Sequence, residues 1–98
     1  MDRCTFFNSI SGILYPEMLV NFFDQFVALK QIVEDSGKVT VLESNENNIS
    51  FSILFNSVDL KNLAINMIHN TGYQINIYGR ILNINLEVLT DNEIKIVL

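Results

Sequence analysis

Cysteine, histidine and proline occur once each in the 98 residues, and tryptophan does not occur. Each scarcity excludes something. A lone thiol, Cys4, closes no disulfide within the chain, so the fold has to stand on its core. With Cys4 and His69 as the only residues of their types, no four-ligand zinc site of cysteine and histidine can be assembled. Imidazole catalysis has His69 alone to draw on, and the sequence supplies no nucleophile or orienting carboxylate at a recognisable spacing from it. His69 falls in the last turn of a predicted helix, where the dipole favours an imidazole, and its expected role is structural.

Positive charge is scarce as well. Arg3, Lys30, Lys38, Lys61, Arg80 and Lys95 are scattered among eleven acids, for a formal net charge of −5. Nucleic acids and anionic lipid surfaces are held by clustered Lys and Arg, so neither is an expected partner. No apolar run approaches the roughly 20 residues that cross a bilayer. The opening Met-Asp-Arg-Cys-Thr-Phe-Phe-Asn lacks the positive and apolar regions of a secretory signal, so the expected location is cytoplasmic. Three of the four glycines fall at predicted helix stops and turns, and Gly12 alone makes no phosphate cradle. The loop from Glu43 to Asn48 lacks the spacing and glycine of a calcium-binding loop. No cofactor or metal is expected.

What is abundant is apolar side chain: 49% hydrophobic against 17% charged residues, enough for one globular domain over residues 1–98. Tyr73 to Leu98 alternates apolar and polar with the period of two of a half-buried strand and predicts a three-stranded meander. A two-residue turn at Gly79-Arg80 sets Ile77 opposite Leu82, Ile75 opposite Ile84 and Tyr73 opposite Leu86. A three-residue turn at Thr90-Asp91-Asn92, with Asn92 left-handed, sets Val88 opposite Ile94, Leu86 opposite Ile96 and Glu87 opposite Lys95. Gln74, Asn76, Asn83, Asn85, Glu87 and Lys95 then share a wet face.

Lys38 to Phe55 predicts a hairpin, with Val41 facing Phe51 and Val39 facing Ile53. Its reverse face, Thr40, Leu42, Ser50, Ser52 and Leu54, is largely polar. Two helices complete the set. One starts at Pro16, carries Leu19, Phe22, Phe23, Phe26, Leu29 and Val33 on one side with Glu17, Asn21 and Asp24 opposite, and stops at Ser36-Gly37. The other is capped by Ser57, buries Leu60, Leu63, Ala64, Met67 and Ile68, and ends at Gly72. Residues 1–15 suggest only a short edge strand or a helical turn.

The expected fold is α+β, in the order αββαβββ: a two-layer sandwich of one antiparallel five-stranded sheet, hairpin plus meander, with both helices on one face. That order is similar to roadblock and other profilin-like domains, and the likeness rests on element order, with no residue motif behind it. The resemblance implies an adaptor or regulatory module, often dimeric.

Functionally, small size, acidity and the lack of a reactive constellation favour a non-enzymatic interaction module. It would inhibit, neutralise or adapt a protein partner, in the manner of an immunity protein, phage inhibitor or accessory subunit. The candidate contacts are the acids Glu34, Asp35, Glu43 and Glu46, suited to a basic partner, and Asn76, Tyr78, Asn83 and Asn85 on the outer sheet face. Met18, Phe23 and Val27 widen the apolar side of the first helix and are the candidate homo-oligomer face. The alternative is an oligomeric small-molecule-binding or catalytic domain, with a pocket between the first helix and the sheet.

Overall fold

The computed structural model describes residues 17–44 and 48–98. They form α1 (Glu17–Gln25), α2 (Val27–Ser36), β1 (Gly37–Ser44), β2 (Ile49–Phe55), α3 (Val58–Asn70), β3 (Gln74–Ile77), β4 (Arg80–Asn83), β5 (Asn85–Thr90) and β6 (Glu93–Val97). The fold is α+β with antiparallel sheets. The main sheet has four strands in the order β1-β2-β6-β5, and β3 with β4 makes a separate two-stranded sheet. The single five-stranded sheet is therefore corrected to four plus two.

The first hairpin follows its alternation. Val41 lies opposite Phe51 and Val39 opposite Ile53, with a bulge at Leu42. Ile53 in turn faces Ile94, and Phe51 faces Ile96. These residues form the inner face against which the helices pack. Ser50 and Ser52, expected on the wet reverse face, are buried. Their strand is central, flanked by β1 and β6, and so short a side chain lies in the shadow of longer neighbours such as Lys95, which pairs with Ser52.

The single first helix is corrected to two. At Phe26 the backbone leaves the helical region (φ −122°, ψ 66°). The Phe26 N–H reaches the Phe23 carbonyl at 3.2 Å, and the Lys30 N–H starts the next helix on the Phe26 carbonyl at 3.0 Å. No proline or glycine marks this bend. It leaves Phe22 and Phe23 of α1 and Leu29 and Val33 of α2 fully buried. Asn21, expected on the wet side of α1, is half-buried, with its Oδ1 shut off from solvent and without a hydrogen-bond partner. Gly37 ends α2 in an extended, not left-handed, conformation. A Cβ there would sit 3.1 Å from the Val33 Cα, so close approach accounts for the glycine.

Aromatic rings join the two layers. Phe22 meets Phe23 edge-on at 5.2 Å and Phe51 at 5.4 Å, while Phe23 lies 5.9 Å from Phe51. These rings make the contact between α1 and β2. On α3, Ser57 caps the helix, its Oγ accepting from the Leu60 N–H at 3.2 Å. Ala64 and Ile68 are buried there, while Leu63 is exposed.

The meander keeps its faces but not its turns. Leu86 faces Ile96, Val88 faces Ile94 and Glu87 faces Lys95, as their alternation requires. The last turn is the two-residue Asp91-Asn92, because a bulge at Leu89 absorbs the extra residue and Thr90 pairs with Glu93. Asn92 is accordingly not left-handed. Its side chain donates instead to the Phe55 carbonyl at 2.9 Å.

Hydrogen-bond parity explains why the sheet divides. The Leu98 N–H donates to Ile49 and the Phe55 N–H to Asn92. Even-numbered residues of β6 therefore direct their backbone groups to β2, and Glu93, Lys95 and Val97 direct theirs to β5. Their partners Asn85 and Glu87 face β6, so Leu86 and Val88 face away from it. Ile84 shares their parity, and its N–H donates to Tyr73 at 2.7 Å. The chain from Arg80 to Thr90 thus pairs with β3 on one flank up to Ile84 and with β6 on the other beyond it.

Two substitutions at Phe23 test this core, with the Ser57 cap for comparison. Phe23→Ala should cost about 3–5 kcal/mol, and Phe23→Glu should prevent folding, since it buries a carboxylate among rings. Ser57→Ala should cost only about 1 kcal/mol. Urea titration followed by circular dichroism measures all three variants.

Candidate functional site

The β3–β4 hairpin is anchored from one side. Ile75 and Ile77 are buried and β3 packs on α1, so the alternate residues Gln74 and Asn76 face out. The turn at the tip is Tyr78-Gly79, not Gly79-Arg80. Ile77 pairs with Arg80, Asn76 with Ile81, Ile75 with Leu82 and Gln74 with Asn83. The slip relative to the expected register is two residues, which preserves every side chain's face.

Both turn residues have positive φ, 52° at Tyr78 and 84° at Gly79, as a type I′ turn requires. Glycine adopts that conformation freely, whereas tyrosine does so against its Cβ. Asn76 holds the turn, its Oδ1 accepting from the Gly79 N–H at 2.8 Å. The result is a fixed tip presenting Tyr78 at 69% and Ile81 at 65% exposure. Asn76 lies beside Ile81 in the ladder, and Asn83 accepts from Gln74 Nε2 at 3.4 Å. Aromatic, aliphatic and amide groups are combined on one small surface.

A second left-handed tyrosine, Tyr73 (φ 60°), starts the hairpin. Its hydroxyl lies 3.3 Å from His69 Nδ1, with the two rings edge-on at 5.6 Å. His69 is at the exposed end of α3, as its position in the sequence implies. Its contact is a phenol and not a carboxylate.

Of the residues singled out in the sequence, Asn76, Tyr78 and Asn83 come together on this hairpin, and Ile81 completes the group. Asn85 stands beyond the Ile84 junction, its Nδ2 donating to the Val97 carbonyl at 3.3 Å. The acids do not form one patch. Asp35 accepts from Gln31 at 3.2 Å at the end of α2. Glu43 lies near the far end of β1, about 20 Å along a strand rising roughly 3.3 Å per residue. Charges that far apart are screened from one another, since the Debye length is about 8 Å at physiological ionic strength. Glu46 and Cys4 lie outside the described residues.

The candidate oligomer face divides as well. Phe23 is fully buried against Phe51, Met18 is half-buried on the core, and Val27 alone is largely exposed. Val27 lines a shallow cleft of about 260 Å³ with Asp24, Lys30, Gln31 and Glu34, across which Lys30 Nζ and Asp24 Oδ1 are 3.4 Å apart. Among the described residues, no three His, Cys, Asp or Glu side chains gather as metal ligands, and no helix is long and apolar enough to cross a membrane.

Compared with protein-family models, curated proteins and solved structures, the chain matches none. The site therefore has to be read from its own geometry.

Tyr78→Asn removes the side chain least suited to its φ and should raise stability by up to about 1 kcal/mol. His69→Ala, at an exposed helix end, should change it by less than about 0.5 kcal/mol. Thermal melts of the two variants check both values.

Proposed function

We propose that this chain is a small acidic, non-enzymatic interaction module that inhibits, neutralises or adapts a protein partner, and that the β3–β4 hairpin makes the contact. The observation that carries this reading is the exposure of Tyr78 and Ile81 on a tip whose backbone is held from its own strand, the Gly79 N–H donating to Asn76 Oδ1.

 Pre-ordering matters because a surface that loses little side-chain and loop freedom on binding keeps more of its contact energy. Tyrosine flanked by aliphatic and amide groups is the composition found at the centres of protein interfaces.

The partner surface suited to this tip offers an apolar recess for Tyr78 and Ile81, rimmed by groups that hydrogen-bond Asn76 and Asn83. The net charge of −5 favours a basic partner. The acids act as a diffuse field and not as a focused patch, because Asp35 ends α2 just before β1 and Glu43 lies near the far end of β1. For the small-molecule alternative, the cleft beside Val27 among the described residues is shallow and lined mostly by charged and amide side chains. Ligand sites are usually larger, at about 300–1,000 Å³, and mostly apolar.

The test compares two immobilised baits, the natural chain and a Tyr78→Ser/Ile81→Asn double variant shown by circular dichroism to be folded, in lysate of the protein's own source. One stoichiometric protein should be retained by the first and at least about tenfold less of it by the second, a loss of about 1.4 kcal/mol. Equal retention by both baits, or no stoichiometric protein on either, contradicts the reading.

A further inference from the structure

The hairpin tip carries an unpaired cation. Between His69 and Glu87, Arg80 is the only charged residue. It is exposed, and its side chain has no ion pair or hydrogen bond among the described residues. Other bases are placed beside acids: Lys30 lies 3.4 Å from Asp24, and Lys95 stands opposite Glu87. Arg80 is also fixed in place, because it directly follows the Tyr78-Gly79 turn and pairs with Ile77 in the ladder. Alternation sends its side chain to the face opposite that of Ile81. The tip therefore shows Arg80 on one side of the ribbon and Ile81 on the other, with the exposed Tyr78 at its end.

We propose that Arg80 is a specificity-determining contact, and that the partner meets it with an Asp or Glu carboxylate on the wall of the recess that takes Tyr78 and Ile81. This assignment rests on the hairpin reading given above. A guanidinium presents its donors in a rigid planar fork that matches the two oxygens of a carboxylate. Arginine and tyrosine are also the residue types enriched at interface centres. A phosphate backbone offers the same charge, but a chain of net charge −5 is repelled by a nucleic acid. The partner is thus basic in its overall field and acidic at this one point. The two do not conflict, since charges more than about 8 Å apart are largely screened at physiological ionic strength and the nearest charge decides at contact. Because Arg80 and Ile81 lie on opposite sides of the ribbon, the recess takes the hairpin end-on and not flat against one face.

The test adds two baits to the pull-down, Arg80→Gln and Lys38→Gln, each shown by circular dichroism to be folded. Each removes one positive charge, and Lys38 is exposed on β1, at the other edge of the main sheet from β5. Retention of the stoichiometric protein should fall at least about tenfold with Arg80→Gln, as for the loss of a charge-assisted hydrogen bond, and stay at the natural level with Lys38→Gln. A partner that senses only net charge gives equal or greater retention by Arg80→Gln, which overturns the proposal. Equal losses from the two variants overturn it as well, since the charge is then read anywhere on the surface. An Arg80→Lys bait supplies a second readout: carbodiimide coupling of its complex should join position 80 to an Asp or Glu of the retained protein, located by mass spectrometry. Coupling of position 80 to no carboxylate of that protein contradicts the assignment. The Tyr78→Ser/Ile81→Asn bait keeps the two readings apart. Loss of the partner by that bait with full retention by Arg80→Gln removes the Arg80 contact and leaves the hairpin reading standing, whereas a natural bait that retains no stoichiometric protein overturns both.

Discussion

The alternation of backbone hydrogen-bonding directions through Ile84 is the constraint on which the rest of the arrangement depends. Successive peptide groups of a strand point to opposite sides, so the chain from Arg80 to Thr90 serves one neighbour with its even residues and another with its odd ones. At Ile84 the N–H goes to Tyr73, while at Asn85 pairing with Val97 begins. Ile84 is itself buried, which fixes the junction in the core. The separate β3–β4 hairpin, with its exposed tip, and the open flank of β5 both follow from this one exchange of partners.

The helical layer is built around that sheet. Phe22 and Phe23 interlock with Phe51, and the bend at Phe26 lets α2 bring Leu29 and Val33 to the same core. The layer covers β1, β2 and β6 more fully than β5, which is why Val88 remains exposed at the end of a row whose other members are buried. Packing is thus complete over the rows that end in Ile94 and Ile96 and unfinished at Val88.

Much of the sheet was legible because alternation fixes the face of each residue. Val39 with Ile53, Val41 with Phe51, Leu86 with Ile96 and Glu87 with Lys95 are all opposed as their spacing requires. The Ser57 cap was legible from its residue type and position. What was hidden is what face parity does not determine. Moving the turn from Gly79-Arg80 to Tyr78-Gly79 shifts the register by two and leaves every face unchanged, so the apolar pattern fits both. The bulge at Leu89 and the bend at Phe26 carry no glycine or proline to announce them. Phe23 and Met18 lie on the apolar side of one predicted helix, and only the position of Phe51 shows that Phe23 is core. The acids near one another in sequence, Asp35 and Glu43, are separated because a strand extends the chain between them. The hairpin residues Asn76, Tyr78 and Asn83 were legible as a group because the two strands that carry them are adjacent in sequence.

Amide hydrogen exchange of the dilute protein, read residue by residue by NMR, tests the hand-over at Ile84 most directly. The account predicts slow exchange at Ile84, whose N–H is held by Tyr73, and at Glu87, whose N–H faces β6, with fast exchange at Leu86 and Val88 between and beyond them. Slow exchange at Leu86 and Val88 with fast exchange at Glu87 would reverse the parity and contradict it.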